Sequence, residues 1–313
     1  MLLYVARRLA FGLILALLVT MITYGLLSFS FDSVARTLAG TNASAETIDG
    51  IKSQNGFDLP LPVQYFQWLG GIFQGDFGYS LYSGEEVGNA IGVRLTVTLS
   101  VVVLALLITV CVSVVLGLLA AARGGVIDRI VQVVIMTGYV FPALLIAIAL
   151  VYIFAINLRW LPATGYTTIT SDPGDWLRSV ILPAIVLSIG GIANLTSQIR
   201  GAMTDELRKD YVRTLRTRGV PVSSILIKHA LRNAAGPALT VLSLEFVAMF
   251  GGALIIERVF ALPGFGVYSF AAATSGDIPV VLALTVFSVM LVITVNLVTD
   301  ILNGWLNPKA RLV

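Results

Sequence analysis

The sequence predicts an all-α, polytopic membrane protein with about six transmembrane helices. Of its 313 residues, 57% are hydrophobic and 12% are charged, and the mean hydropathy is +0.93. Soluble domains are about 45–50% apolar and about 25% charged, so this composition indicates a bilayer as solvent. Six apolar stretches are long enough to cross about 30 Å of hydrocarbon as helices. They cover residues 9–31, 95–122, 130–156, 180–199, 234–256 and 279–302.

The first stretch and the segment that follows it predict an anchored N-terminal region. The stretch is long and has no small-residue cleavage site after a short apolar core, so we expect a retained anchor and not a signal peptide. The external segment 32–94 is too long to be a simple connection. Within it, a helix beginning at Pro62 would place Phe66, Leu69 and Phe73 on one side. That helix would lie along the membrane or a partner, or form a buried turn of a small external subdomain.

The distribution of basic residues predicts the orientation. Six spans place both termini on one side, together with 14 of the 20 Lys and Arg residues. Two precede the first span, two lie at 123–129, eight lie at 200–232, and the last two are Lys309 and Arg311. By the positive-inside rule, we expect both termini to be cytoplasmic and the protein to lie in the inner membrane. The pI of about 9.1 then reflects topology, and no nucleic-acid binding is expected.

The cytoplasmic loop 201–233 is predicted to contain a helix, a glycine break and a second helix. Acidic residues begin the segment 205–218 and basic residues end it, which matches the helix dipole. Gly219 is suited to the left-handed conformation that ends a helix, and Pro221 is suited to the first turn of the next one.

One face of the first predicted loop helix is apolar. Leu207, Tyr211 and Leu215 recur every four residues, so they would form a stripe on a charged helix. The stripe would pack against the membrane domain or insert into a groove on a partner.

The loop carries Tyr-Val-Arg-Thr-Leu-Arg-Thr-Arg-Gly at residues 211–219 and His-Ala-Leu-Arg-Asn at residues 229–233. These sequences resemble the coupling loop of ABC transporter permeases in the dipeptide/oligopeptide (DppB/OppB-like) family. That family usually reads Asp-Tyr-Val-Arg-Thr-Ala-Arg-Ala-Lys-Gly, so Leu215 and Thr217 replace alanines and Arg218 replaces a lysine. The resemblance implies ATPase-coupling roles for Asp210, Tyr211, Val212, Arg213, Thr214, Leu215, Arg216, Arg218, Gly219, His229, Arg232 and Asn233.

The resemblance extends over nearly the whole chain. Segments 4–8, 63–68, 75–80 and 160–166 are similar to family segments, and Glu-Arg-Val-Phe-Ala-Leu-Pro-Gly-Phe-Gly at 257–266 is similar to a characteristic external motif. The residues of that motif that we expect to matter are Glu257, Phe260, Pro263, Gly264 and Gly266. Two family sequences differ here: Ser-Phe-Asp-Ser at 30–33 replaces Leu-Pro-Gly-Asp-Pro, and Asn-Pro-Lys at 307–309 replaces Asp-Pro-Arg. These differences leave the subfamily and the cargo open.

The resemblance implies the fold of an ABC type I importer permease, a single transmembrane domain over residues 1–313. It implies a second homologous permease subunit, two ABC ATPase subunits, an extracytoplasmic substrate-binding protein and membrane lipid as partners. ATP and Mg would be bound by the ATPase subunits, with no cofactor in this chain. The implied function is to translocate di- or oligopeptides across the cytoplasmic membrane.

Residue types that many enzymes require are scarce. The four lysines follow Ile, Arg, Ile and Pro, so the chain has no Gly-Lys-Ser/Thr phosphate loop. One Cys and one His exclude an intramolecular disulfide, a CxxC metal site and a HExxH motif. We therefore expect a transport subunit with no catalytic or metal-binding residues.

Polar residues inside the predicted spans are the candidates for the translocation path. Asn194, Gln198 and Glu245 should face the protein interior or a wet cavity, and Thr196 and Ser197 lie in the same cluster. Hydrogen bonding between helices is the alternative role for these side chains. The spacing from Gly117 to Ala121 also suits close helix packing.

Two other kinds of transporter are alternatives to a peptide permease. A nickel-chelate or glutathione-type ABC permease would have the same architecture. A secondary transporter or channel would usually carry functional charge in mid-membrane, whereas the charge here gathers in the loop 201–233.

Overall fold

The computed structural model describes residues 2–306, which form thirteen α-helices with two π-helical turns and two longer irregular segments, 74–86 and 158–172. The first six are α1 Leu2–Ser28, α2 Phe31–Ala39, α3 Ala45–Gln54, α4 Leu61–Phe73, α5 Val87–Arg123 and α6 Gly125–Val140. The others are α7 Ala143–Leu150, α8 Pro173–Leu207, α9 Asp210–Thr217, α10 Val222–Ser224, α11 Leu231–Val259, α12 Phe265–Ser275 and α13 Ile278–Leu306. Within residues 2–306 the only β pairing is an isolated bridge between Tyr79 and Glu86, so the all-α prediction is confirmed. Two parts of the sequence analysis lie outside the described residues. They are the segment 307–309, which differs from the family sequence, and the basic residue Arg311.

Five of the six predicted spans are long apolar helices. They are found in α1, α5, α8, the continuous helical segment Val222–Val259 and α13. In the segment Val222–Val259, α10 continues through one π-helical turn, Ile225–Ala230, into α11. The helix predicted after Pro221 and the fifth span are therefore one helix.

The predicted third span is bent. Helices α6 and α7 meet at 97°, and α7 continues as a π-helical turn over Val151–Asn157. Pro142 has no N–H and disfavours a helical conformation for the residue before it, and Phe141 is extended with φ −80° and ψ 123°. The predicted third span, 130–156, is therefore not one continuous helix. These helices provide a sixth span only if the bent pair crosses the bilayer together.

The predicted helix 205–218 is also two helices. Helix α8 extends beyond the predicted span 180–199 and ends at Leu207, and α9 begins at Asp210. Lys209 between them is extended, with φ −68° and ψ 150°. The helix dipole pattern identified the helical residues but not this break.

One compact unit comprises the residues up to Thr96 together with Val267–Thr294. Half of its buried core residues are aromatic, namely Tyr24, Phe31 and Tyr65, and α4 packs against α1. The Tyr24 hydroxyl donates to Gln64 Oε1 at 3.0 Å, and the hydroxyls of Thr20 and Tyr65 are 3.0 Å apart. Phe66 and Phe73 are 68% and 73% exposed. The predicted helix is thus confirmed, but its buried face carries Gln64 and Tyr65.

Ion pairs and hydrogen bonds fix the loops of this unit. Asp32 in α2 binds Arg36 at 2.7 Å and Lys52 of α3 at 2.5 Å. Hydrogen bonds from Lys52 and then from Arg36 hold the pKa of Asp32 at about 2. Asp277 accepts a hydrogen bond from the Ser80 hydroxyl at 2.5 Å and one from the Leu81 N–H at 3.2 Å. These contacts connect the external segment to the start of α13.

The second compact unit comprises Val97–Gly266 and the chain from Val295. Helix α8 is its centre and packs against α6, α7 and α11. On the α5 side, a β-carbon at Gly117 would lie 2.7 Å from Ile199 Cγ2, so the two helices approach closely there. Ala121 packs against the same cluster as Ile199. The small-residue contact predicted for Gly117 and Ala121 is confirmed.

Candidate coupling site and translocation path

The coupling segment is a short helix enclosed by two backbone breaks. Helix α9 follows extended Lys209 and ends at Thr217, two residues before Gly219, whose φ is +74°. The N–H of Val220 donates to the Leu215 carbonyl at 3.1 Å, which satisfies the helix end. The left-handed conformation predicted for Gly219 is confirmed. A residue with a β-carbon would be strained there.

Glu206, which the sequence analysis did not identify, joins the parts of this segment. Its side chain lies in the last turn of α8 and is only 8% exposed. The Tyr211 hydroxyl of α9 donates to Glu206 Oε2 at 2.8 Å, and the Lys209 ammonium donates to Oε1. The Asn233 amide of α11 lies 3.4 Å from both Glu206 Oε2 and the Tyr211 hydroxyl. One carboxylate therefore links α8, α9 and α11.

A helical pattern could have identified Glu206. Ile199, Met203 and Glu206 are spaced i, i+4, i+7, so they share the buried face of α8. A carboxylate on a buried face needs polar partners from neighbouring segments.

The two titratable side chains that donate to the Glu206 carboxylate both have raised pKa values. The hydrogen bond to the Glu206 carboxylate raises the pKa of Lys209. Partial burial raises the pKa of Tyr211, and donation to Glu206 raises it further. Both groups therefore remain proton donors at neutral pH.

Helix α9 presents a basic outer surface. Val212 is fully buried, whereas Arg213, Arg216 and Arg218 are exposed. Asp210 and Thr214 are exposed beside these basic residues.

The predicted apolar stripe is not one surface, because the helix breaks after Leu207. Leu207 packs against the cluster of Met203 and Ala234, while Tyr211 and Leu215 are half-buried on α9. The prediction of a continuous Leu207, Tyr211 and Leu215 stripe is therefore wrong.

The structure brings only part of the second predicted coupling motif to this site. Asn233 contacts Glu206 and Tyr211. His229 lies half-buried in the π-helical turn, and Arg232 is exposed. Within residues 2–306, neither of these two side chains makes a hydrogen bond to the Glu206 group.

Helix α8 has an exposed face without large apolar residues. Between Leu182 and Leu207, the exposed positions are Gly190, Asn194, Ser197 and Asp205. At 100° per residue these four positions fall on one side of the helix. A face toward lipid would expose apolar side chains, so this face is suited to water or to another subunit.

Two of the three predicted path residues are in direct contact. The Asn194 amide donates to Glu245 Oε1 of α11 at 2.6 Å, and the Tyr139 hydroxyl of α6 donates to Asn194 Oδ1 at 2.6 Å. Gln198 is half-buried and has no hydrogen bond to this group within the part of the chain that is described. Of its neighbours, Thr196 is fully buried and Ser197 is exposed.

The motif 257–266 forms a compact turn around a buried carboxylate. Glu257 is 2% exposed and accepts a hydrogen bond from the Thr98 hydroxyl. The Thr98 hydroxyl in turn accepts the Phe265 N–H at 2.8 Å. A β-carbon at Gly264 would overlap the Glu257 carboxyl group. This overlap explains why glycine is required at that position.

The other predicted residues of this motif have different positions. Phe260 is 2% exposed, and its carbonyl accepts the Gly165 N–H at 3.2 Å. Pro263 is exposed. A β-carbon at Gly266 would lie 2.9 Å from the Leu254 backbone. Glu257, Phe260, Gly264 and Gly266 thus belong to the packed turn, and Pro263 lies on its surface.

The described residues contain no group of side chains suited to bind a metal ion. Among residues 2–306, no three His, Cys, Asp or Glu side chains are grouped so that they could hold an ion.

Comparison with known proteins identifies two family matches that together cover most of the chain. The family of binding-protein-dependent transport system inner membrane components matches residues 113–312. The N-terminal family of binding-protein-dependent transport system membrane components matches residues 1–102.

Curated relatives match nearly end to end. A probable peptide ABC transporter permease of Sinorhizobium fredii is 35% identical over 98% of this chain and 99% of the relative. A putative peptide transport system permease of Brucella abortus is 36% identical, and the oligopeptide transport system permease AppB of Bacillus subtilis is 31% identical, each over 98% of both chains. These matches confirm the family resemblance and the permease fold. The chain belongs to the family of inner membrane components of binding-protein-dependent transport systems.

Proposed function

We propose that this chain is the permease subunit of an importer that carries peptides into the cytoplasm, driven by ATP bound to separate subunits. The observation that carries the proposal is the attachment of α9 to two transmembrane helices through Glu206. The names of the relatives, which are peptide permeases, support the choice of cargo.

The proposed mechanism transmits a movement of α9 to the path. The basic surface of α9 docks in a groove on an ATPase subunit, and the groove moves when ATP is bound. Because Tyr211 and Asn233 both contact Glu206, a displacement of α9 acts on the ends of α8 and α11 together. The same two helices carry Asn194 and Glu245. A change in their packing would open the path toward one side or the other.

The proposed assembly has four further protein components. A second homologous permease completes the path, two ABC ATPases bind ATP and Mg, and an extracytoplasmic binding protein delivers the peptide. This chain binds no cofactor and performs no catalytic step in this scheme; it stabilises two conformations in turn. The exposed polar face of α8 is suited to line the path between the two permeases.

Reconstitution tests the proposed function. The purified complete transporter in liposomes is expected to accumulate radiolabelled trialanine only when ATP and the loaded binding protein are both present. Complexes with an inactive ATPase are the control and should accumulate none. Uptake driven by an ion gradient without ATP would instead indicate a secondary transporter. ATP-dependent uptake of a nickel chelate or of glutathione, but not of peptides, would correct the cargo.

Cysteine labelling tests the proposed orientation. In a Cys111→Ala background, single cysteines at Ser53 and Thr170 are expected to react with an impermeant reagent on intact cells, and one at Thr217 only after permeabilisation. All three positions are exposed. The Thr170 site reports whether α6 and α7 cross as one bent span. Labelling at Thr217 but not at Ser53 in intact cells would invert the orientation, and protection of Thr170 would make the bent pair a re-entrant loop.

A further inference from the structure

Glu245 is a buried carboxylate halfway along a transmembrane helix. It is 8% exposed and lies at the middle of α11. Among the described residues, no Lys, Arg or His lies within ion-pair distance of it, and the Asn194 amide is its hydrogen-bond donor. A buried charge without a cation is costly, so such a group in a membrane span indicates a functional site.

A chain of hydrogen bonds leads from this carboxylate to the exposed face of α8. Asn194, whose amide binds Glu245, is exposed, and Tyr139, which donates to Asn194 Oδ1, is 54% exposed. Helix-to-helix hydrogen bonding alone would not require these two side chains to be accessible. The polar face containing Gly190, Asn194 and Ser197 makes the same position reachable by a solute in the path.

The oxygens of this group suit a primary ammonium ion. An ammonium donates up to three hydrogen bonds, and Asn194 Oδ1 and the Tyr139 hydroxyl can each accept one. Glu245 supplies the compensating negative charge directly behind the Asn194 amide, at 2.6 Å. Because it accepts that amide's N–H, the carboxylate also strengthens Asn194 Oδ1 as an acceptor.

The packing around Glu245 leaves room for its carboxylate beside α8. A β-carbon at Gly191 would lie 3.2 Å from Glu245 Oε2 and 2.6 Å from Met249 Cε. The absence of a side chain at Gly191 therefore keeps Glu245 against α8, within reach of Asn194.

We propose that Tyr139, Asn194 and Glu245 form a subsite for the N-terminal ammonium group of the peptide during its passage. This inference rests on the proposed function, since it assigns a contact to the cargo of that importer. Partial desolvation of the peptide's ammonium group at mid-span is costly, and a nearby carboxylate offsets part of that cost. The subsite provides this carboxylate at mid-span without binding the side chains that differ among peptides.

Binding measurements on the purified permease–ATPase complex, without the binding protein, test this subsite. Saturation-transfer NMR suits weak ligands and can compare trialanine with N-acetyl-trialanine. We expect acetylation to weaken binding to the wild-type complex by about tenfold or more, because it removes the positive charge. Glu245→Gln preserves the shape and removes the negative charge, so we expect it to weaken trialanine binding similarly and to abolish the preference over the acetylated peptide.

Asp175→Asn is the matched control, since it makes the same chemical change at an exposed position at the start of α8. It should retain the wild-type preference. Equal binding of the two peptides by the wild-type complex, no detectable binding, or a preference retained by Glu245→Gln would overturn the inference. Failure of the proposed function is distinguishable, because the wild-type transporter would then show no ATP-dependent peptide uptake in liposomes.

Discussion

Replacing Tyr211 with Asp is expected to abolish uptake while the chain still inserts and accumulates in the membrane at its normal level. The Tyr211 hydroxyl donates to Glu206 at 2.8 Å, so the substitution replaces a donor with a second carboxylate beside a buried one. The two like charges repel, and an unpaired buried charge is costly. Helix α9 should separate from α8 and α11, while the packing of the membrane spans stays intact.

Three measurements on the same membranes test this expectation: abundance of the chain, co-purification of the ATPase subunits, and peptide uptake. We expect normal abundance, with the ATPase lost or its hydrolysis uncoupled from uptake. Tyr211→Phe is the matched control, because it keeps the ring and removes the hydroxyl, with its hydrogen bonds to Glu206 and Asn233, without adding a charge; it should retain most of the uptake.

Gly219→Val tests the same helix through its backbone. The left-handed conformation at φ +74° would cost a β-branched residue about 1–2 kcal/mol, enough to misalign α9 without unfolding the spans. Wild-type ATPase association and uptake in both Tyr211→Asp and Gly219→Val would remove the coupling role. Reduced abundance of both variants would instead show that α9 only stabilises the membrane domain.

Replacing Gly264 with Ala is expected to reduce accumulation of the folded chain sharply. The added β-carbon would overlap the Glu257 carboxyl group, which is buried and held by Thr98. Overpacking of a buried site costs about 1–3 kcal/mol, and displacement of the carboxylate would add the loss of its hydrogen bond. Membrane abundance and the thermal stability of the detergent-purified chain measure this effect.

Gly251→Ala is the matched control for that substitution. It makes the same change in α11, but apart from its own helix backbone and adjacent residues no atom lies within 4 Å of the added β-carbon. We expect near wild-type stability there. Adding Glu257→Ala to Gly264→Ala should cost less than the sum of the two single changes, because both act on one contact. Equal stability of Gly264→Ala and Gly251→Ala would show that Glu257 moves aside freely.

The membrane spans could be predicted from the sequence because the bilayer imposes one simple condition. A segment that crosses hydrocarbon must form its backbone hydrogen bonds within itself and present apolar side chains to lipid. Length and hydropathy therefore identify it. Helices α1, α5, α8 and α13 follow this rule. The Gly219 helix end was equally predictable, because glycine adopts a left-handed conformation more readily than other residues.

The bend in the third predicted span shows what hydropathy cannot detect. Residues 130–156 are predominantly apolar, and their average hydropathy is the same whether the helix runs straight or bends. The break lies at the extended Phe141 immediately before Pro142, and an average of hydropathy does not register one such residue.

The sequence by itself determined the fold class, five of the six membrane spans, the glycine break and the family of this protein. Tertiary structure alone decided which polar groups meet. Glu206 and Asn233 lie on different helices, as do Asn194 and Glu245, and their contacts depend on how α8 and α11 pack. Local sequence patterns describe one helix at a time, whereas a buried carboxylate is satisfied by whichever donor the neighbouring helix brings within hydrogen-bond distance.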